Sequence, residues 1–412
     1  MPYNPRRGYV YSSRPSPYRT YNARPARQSG NRRKETIHPS RFIKAAQNVE
    51  EIPYEPTHVF GDFALHEVLR RNIDRRGFTT PSPIQDQAIP AGLVGQDVIG
   101  IANTGTGKTL AFALPLLQRL IVDRTSRALI MAPTRELAQQ IEQECRQLAK
   151  GSGLFGALLI GGAAMNPQLI DLKVKPQIII GTPGRIKDHL ERGSLTLDNV
   201  NIVVLDEVDR MLDMGFVNDM RFILRQLAPV RQSFFFSATL NTAVNNLIRT
   251  FSSDPVTISV KTGETADGVE QNIVTYGSHT DKIEKLHDLL IDQAVTKALI
   301  FDETQRSVER LSRELHDRGF KVDAIHGGKT QGQRQKALNR FKANDITILV
   351  ATDVAARGID VSDISHVINF STPQSYVDYV HRIGRAGRAG RTGHALTFVD
   401  SSTAARLVVP SR

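Results

Sequence analysis

Residues Asp97–Thr109 read DVIGIANTGTGKT. The short apolar run has the pattern of a buried strand, and the segment from about Lys108 onward has that of a helix. Between them, Gly105 and Gly107 let the main chain wrap closely with its N–H groups turned inward, and the helix adds the positive end of its dipole. Strand, glycine loop and helix in this order form a phosphate cradle, here Ala102, Asn103, Thr104, Gly105, Thr106, Gly107, Lys108 and Thr109. Lys108 is placed to reach the β- and γ-phosphates of a nucleoside triphosphate, and Thr109 to coordinate Mg2+. Ala102 stands where the generic pattern has its first glycine.

Outward from this loop, short apolar runs alternate with amphipathic stretches. The runs are Asp97–Ala102, Ala128–Ala132, Ala157–Ile160, Gln177–Ile180, Ile202–Leu205 and Ser233–Phe236 in the first half. In the second half they are Ala298–Phe301, Val322–Ile325, Ile346–Val350, His366–Phe370 and His394–Val399. Ile- and Val-rich runs of this length between helices are how buried parallel strands look, so the pattern predicts two doubly wound α/β domains. Ser252–Gly268 (SSDPVTISVKTGETADG) is rich in Pro, Gly, Ser and Thr and is expected to be the hinge between them. The predicted limits are a tail at 1–56, a first domain at 57–257, a linker at 258–268 and a second domain at 269–412.

Five polar strings follow strands of the first half directly: Asn103–Thr109, Pro133–Leu137, Thr182–Arg185, Asp206–Asp209 and Ser237–Thr239. In open α/β sheets ligands bind at the carboxyl ends of strands, so these strings make one site. Asp206 can hold Mg2+ through water, and Glu207 can orient or deprotonate an attacking water; the bland alternative is a helix N-cap with acids in its first turn. Gln85, in FTTPSPIQ, carries an amide that donates and accepts, which matches the Hoogsteen edge of adenine; taken alone it is equally a helix start. The second half adds ATDVAARGID (Ala351–Asp360) and HRIGRAGR (His381–Arg388), an arginine cluster that would complete the site when two domains close.

The composition bounds the rest. In 412 residues there is one cysteine, Cys145, which excludes an intrachain disulfide and a multi-cysteine zinc site. No apolar run reaches the roughly 18 residues of a membrane span, and a cytoplasmic location is expected. Residues 1–50 hold eleven Lys/Arg against Glu35 and Glu50, so most of the net charge of +11 belongs to this arm. Its Arg, Tyr, Pro and Ser with few aliphatics predict disorder, and arginines interleaved with tyrosines suit single-stranded nucleic acid. A solubilising arm is the bland alternative; a transit peptide is disfavoured by Pro2, Pro5, Pro15, Pro17 and Pro25, which would break its helix. His66, His189 and His287 are expected to be surface or packing residues, and residues 281–288 a solvated helix face.

In order, Phe60 with Gly77–Gln85, ANTGTGKT, PTREL, Gly161-Gly162, TPGR, DEVD at 206–209, SAT at 237–239, Leu299–Phe301, ATDVAARGID and HRIGRAGR resemble the signature of DEAD-box RNA helicases of superfamily two, over about Phe60–Phe398. The resemblance implies two RecA-like lobes, ATP and Mg2+ as cofactors, and an RNA-dependent ATPase with a monomeric core acting on single strands and short duplexes irrespective of sequence. It further implies that Phe60 and Gln85 recognise adenine with Phe78 packing on the ring, that Asp209, Ser237, Thr239 and His381 couple hydrolysis to RNA, and that Gly358 and Asp360 meet the nucleotide. Arg385 and Arg388 would be arginine fingers, and RNA would lie on Thr134, Arg135, Gly162, Thr182, Arg185, Arg306 and Thr352. Val208 and Ala386 replace the usual alanine and threonine, changes expected to tune rates while leaving the chemistry intact. Competing readings are a DNA helicase of the same superfamily, an ATP-gated RNA clamp, and an annealer driven by the arginine-rich arm.

Overall fold

Seven parallel strands form the first lobe, each four to six residues long and most of them buried on both faces. The computed structural model describes residues 37–45, 54–103, 105–252, 254–260, 268–356, 361, 363–387 and 392–404. In lobe 1, α1 (Glu67–Arg75) and α2 (Pro83–Leu93) lead into β1 (Val98–Ala102) and α3 (Lys108–Val122). Next come β2 (Ala128–Met131), α4 (Arg135–Leu148), β3 (Gly156–Leu159), α5 (Met165–Lys173), β4 (Ile178–Gly181) and α6 (Pro183–Glu191). The lobe ends with β5 (Ile202–Leu205), α7 (Val208–Asp213), α8 (Val217–Leu224), β6 (Gln232–Ser237), α9 (Thr242–Phe251) and β7 (Val256–Val260).

The strand order β3-β4-β2-β5-β6-β1-β7 divides the functional edge. The loops after β3, β4 and β2 share one half; those after β5, β6 and β1 share the other. Successive side chains point to opposite faces, so Phe234 and Phe236 enter the core that contains Phe112 and Ile130, while Phe235 joins Leu129, Val203 and Met211 behind the sheet. Burying each ring is worth about 2–3 kcal/mol. Cys145 lies in the first of these cores.

Lobe 2 repeats the plan with β8 (Val269–Tyr276), α10 (His279–Ile291), β9 (Ala298–Phe301), α11 (Gln305–Asp317), β10 (Val322–Ile325) and α12 (Gln331–Lys342). It continues with β11 (Ile348–Ala351), α13 (Asp353–Ala356), β12 (His366–Asn369), α14 (Tyr376–Ile383), β13 (Gly393–Asp400) and α15 (Ser401–Ala404). Its six parallel strands run β10-β11-β9-β12-β13-β8. Leu299 and Leu349 face one core and Ile300 and Val350 the other. Two doubly wound parallel-sheet lobes in tandem are therefore the fold expected from the sequence.

Three expectations need correction. The hinge begins later than 258, because Val256–Val260 pairs in parallel with Val98–Ala102 as an outer strand of lobe 1; the alternation Val256, Ile258, Val260 was masked by flanking Pro, Ser and Thr. Residues 261–267 lie outside the described residues. The tail is also shorter than 1–56. Ile37, Pro39 and Phe42 are buried in lobe 2, and Tyr54, Thr57 and His58 bind Asp86 of lobe 1, whereas residues 1–36 and 46–53 lie outside the described residues. Finally, Lys282 is no solvated lysine: its ammonium sits 4.4 Å from the Tyr276 ring and 4.1 Å from that of Phe370, and burial pulls its pKa down.

Candidate active site

The loop between β1 and α3 bends through Gly105 (φ 87°) and Gly107 (φ 90°), left-handed positions that L side chains adopt only with strain. The helix begins at Lys108, whose ammonium is buried and donates to Ala102 O at 3.1 Å, inside the loop. Ser82 Oγ donates to Thr106 O (2.7 Å) and Gln85 Nε2 to Gly107 O (3.0 Å), while Gln85 Oε1 accepts from Ser82 N (2.9 Å). Gln85 is thus both the start of α2 and a brace on the phosphate loop; a Cβ at Gly107 would lie 2.3 Å from its amide nitrogen. Both ends of the buried Gln85 amide are therefore engaged by Ser82 and the phosphate loop. Phe60 is only 4% exposed, packed edge-on to Phe63 and against Phe78, so Phe78 is the more open of the two rings singled out for adenine. Thr104 lies outside the described residues.

At the end of β5, burial pushes the Asp206 carboxyl up to about 6; nearby Lys108 opposes the shift and Glu207 adds to it. Glu207 N donates to Asp206 Oδ1 (3.0 Å). Glu207 itself has φ 53°, a left-handed main chain for a buried non-glycine residue, and its side chain makes no capping bond to α7. Glu207 thus stands at the N-cap position of α7 with Asp209 in the first turn, as the bland alternative has it, but it caps nothing through its side chain, and strain of this kind is held at functional positions. Asp209 accepts from both Thr239 N and Thr239 Oγ1 at 3.0 Å, and Ser237 Oγ donates to Thr239 O at 2.7 Å. The three expected coupling residues of lobe 1 are in direct contact. Among the described residues no three His, Cys, Asp or Glu side chains form a metal cluster. Thr109 and Asp206 fit a Mg2+ ion that takes one or two protein ligands and the rest from phosphates and water.

The other half of the edge is basic. A Cβ on Gly162 (φ 71°) would lie 2.0 Å from Arg135 Nη1, so the guanidinium rests on the Gly161-Gly162 turn. Arg185 donates to Ala163 O at 3.2 Å, and burial pulls its pKa down despite Asp188 beside it. Thr134 caps α4, accepting from Leu137 N (3.3 Å), and Thr182 sits at the start of α6. These five residues come from β2, β3 and β4, adjacent strands, whereas Arg306 and Thr352 follow β9 and β11 of lobe 2, with Arg306 exposed and Thr352 buried.

In lobe 2, Gly358, Asp360 and Arg388 lie outside the described residues. Arg385 is buried just beyond α14. Arg210, which follows the acidic box, lines one cleft with Asp378, His381, Arg382 and Arg385, and Arg210 Nη1 lies 4.0 Å from Asp378 Oδ1. Lobe 1 and lobe 2 also meet where Glu136 pairs with Arg334 at 2.8 Å, both buried, and Gln331 Nε2 donates to Gln139 Oε1 at 2.9 Å.

Several of these contacts were missed from sequence. Arg382 donates to both Asp353 oxygens (2.6 and 2.7 Å), to Asn369 Oδ1 (3.1 Å) and to Ser371 O (2.7 Å), tying two of the quoted strings together. Asp353 and Arg382 are opposite charges inside those strings, which is the signal that was available. Glu136 lies within PTREL, but Gln331 and Arg334 lie on an ordinary polar helix start and carry no such signal. Asp86 is another: burial pushes its carboxyl up, and hydrogen bonds from Tyr54, Thr57 and His58 outweigh this and hold it low.

Known proteins extend the comparison. Sequence profiles described as DEAD/DEAH box helicase and helicase conserved C-terminal domain match residues 82–247 and 281–390. ATP-dependent RNA helicase CshA of Listeria monocytogenes is 45% identical over 325 residues, 77% of this chain; the chain spans 62% of that relative's length. The fold of S. cerevisiae Dbp5 bound to RNA and ADP BeF3 matches with TM-score 0.74 at 29% identity, over 85% of this chain and 91% of that one. A DEAD box protein from the hyperthermophile Methanococcus jannaschii is 38% identical over 85% of this chain and 95% of its own, with TM-score 0.50. The two lobes, the ordered motifs and these matches agree, and the chain belongs to the DEAD-box helicase family.

Proposed function

We propose that this protein is an ATP-dependent RNA helicase, in which RNA-stimulated ATP hydrolysis is coupled to closure of the two lobes and to local, non-processive opening of short duplexes. The observation that carries the reading is the shared cleft: Arg210, next to the acidic box of lobe 1, faces His381 and Arg385 of lobe 2. The contacts between the lobes, Arg210 beside Asp378 and Glu136 paired with Arg334, support closure as the productive state.

In this mechanism the glycine loop and Lys108 hold the triphosphate, and Glu207 orients the water for in-line attack on the γ-phosphate. Thr109 and Asp206 would hold Mg2+, which when bound would supply charge neutralisation at the phosphates. Arg385, with Arg388, stabilises the charge on the transferred group, so hydrolysis requires both lobes. Asp209 passes the state of the acidic box to Thr239 through two hydrogen bonds. Arg135, Arg185, Thr134, Thr182 and Gly162 take RNA phosphates and 2′-hydroxyls on lobe 1, and Arg306 and Thr352 on lobe 2. Contacts of this kind fix the strand without reading its bases. A strand held on both lobes is bent when they close, and a short duplex loses pairs; hydrolysis lets the lobes part.

Steady-state ATP turnover with no nucleic acid, with single-stranded RNA and with matched DNA, using Glu207→Gln as control, tests this. Stimulation by RNA alone, lost in the variant, is expected. Turnover indifferent to RNA, or raised equally by DNA, overturns it.

A further inference from the structure

The segment Ile37–Ala45 precedes lobe 1 in the chain yet packs on lobe 2. Phe42 is 1% exposed and lies in the lobe 2 core with Val269, Tyr379 and Ile383; Ile37 joins the same core. The Phe42 and Tyr379 rings are 4.7 Å apart between centroids, and the Arg41 guanidinium stands 3.7 Å over the Tyr376 ring. Lys44 and Gln271 exchange main-chain hydrogen bonds (3.0 and 2.8 Å) in an antiparallel bridge that covers the edge of β8, while Tyr379 Oη donates to Gln271 Oε1 at 3.0 Å. An uncovered edge strand would otherwise present unpaired main-chain groups.

Tyr376 and Tyr379 are three residues apart and so share a face of α14. Further along, the same helix is pinned by Arg382 on Asp353. Arg385 follows directly after α14, with its main-chain N–H donating to Arg382 O at 3.1 Å. The helix that sets Arg385 is therefore gripped at two points along its length, and one grip comes from outside the lobe's own sequence.

We propose that Ile37–Lys44 is a positioning element for the arginine helix, with Phe42 and Arg41 acting through Tyr379 and Tyr376 to place Arg385 for hydrolysis. This rests on the finger role given to Arg385 above. A displacement of about 1 Å in a group that stabilises the transition state can cost on the order of a hundredfold in rate, so a loosened α14 is felt in turnover before it is felt in nucleotide affinity, which lobe 1 sets.

The test uses the full chain: Phe42→Ala, Phe42→Leu and Arg41→Ala, each alone and combined with Arg385→Ala, with kcat and KM for ATP at saturating RNA and the thermal midpoint. Phe42→Ala is expected to lower kcat about tenfold and Arg41→Ala about threefold, with KM for ATP within about twofold and Phe42→Leu restoring most of the loss. In the Arg385→Ala background both effects should vanish, because the group being positioned is gone. Equal fold losses in both backgrounds would assign the segment to general stability and overturn the proposal. So would unchanged kcat in Arg41→Ala and Phe42→Ala. A wild-type kcat in Arg385→Ala alone would instead defeat the finger role itself. Arg41 is exposed, so its variant keeps the test valid should Phe42→Ala fail to fold.

Discussion

The two lobes hold their chemical groups by different means. Lobe 1 uses the main chain: left-handed turns at Gly105 and Gly107, a left-handed Glu207, and hydrogen bonds that tie Gln85 to the loop and the Thr239 main chain to the acidic box. Lobe 2 uses side-chain charge: Arg382, 3% exposed, makes four hydrogen bonds to Asp353, Asn369 and Ser371, and Arg385 follows three residues later. A main-chain cradle is formed once the sheet is formed. A buried guanidinium network depends on every partner, because the loss of one leaves an uncompensated charge. The nucleotide-binding half is thus set by folding, and the half that completes it hangs on a few ionic contacts, which suits a lobe whose contribution is to be gated.

That contrast can be broken at its strongest point first. Arg385→Ala is expected to lower RNA-stimulated turnover by about 10³-fold or more, the order assigned to an arginine finger, with nucleotide affinity retained in equilibrium binding. A parallel loss of affinity would mean that lobe 2 helps to build the binding site. Next, Asp353→Ala should destabilise lobe 2 by about 3–5 kcal/mol, since Arg382 is left buried and partly unpaired. Hydrogen exchange should show protection lost around β11, β12 and α14 and retained in lobe 1. A smaller effect is expected in acid. Burial, with His394 stacked 4.8 Å away, depresses His366 to about 4 from an ordinary 6.5. The folded lobe binds fewer protons than the unfolded chain between those values, so stability falls as pH drops from about 6.5 through about 4, by up to about 3 kcal/mol. His366→Phe should flatten that slope in urea titrations at pH 7 and 4.5. His189 of lobe 1 is shifted in the same direction by burial, so a residual slope should remain.

The parallel strands and the strings at their ends were legible because each carries a local signal: buried runs such as IVVL are read directly, and glycine loops after strands announce their purpose. What escaped reading was non-local or diluted. Val256–Val260 becomes a strand only because β1 has a free edge for it. Ile37, Pro39 and Phe42 are too few to shift the composition of the basic arm, yet they suffice for a lobe 2 core that leaves Tyr379 and the edge of β8 to be covered. The site was legible residue by residue, but its bracing was not. Nothing in the string PSPIQ says that Gln85 reaches Gly107, and nothing near Arg334 says that Glu136 waits on the other lobe.

Each lobe has a left-handed residue at or near a group given a catalytic role in the proposed mechanism, Glu207 itself in lobe 1 and Gly387, two residues after Arg385, in lobe 2. At Gly387 the sequence accepts the conformation without strain, and a Cβ would meet Gly268 O and Val269 Cγ2 at 3.0 Å. At Glu207 the carboxylate is kept and the strain of about 1–2 kcal/mol is kept with it. Glycine there would relieve the strain but lose about 0.5–1 kcal/mol through the greater freedom of the unfolded chain. Glu207→Gly should therefore be more stable than Glu207→Gln by about 0.5–1 kcal/mol in chemical denaturation, although both lose hydrolysis. Glu207→Gly less stable than Glu207→Gln by about 0.5–1 kcal/mol, the cost of glycine alone, would show that the acidic box imposes no strain at Glu207, and that main-chain geometry in lobe 1 is as relaxed as in lobe 2.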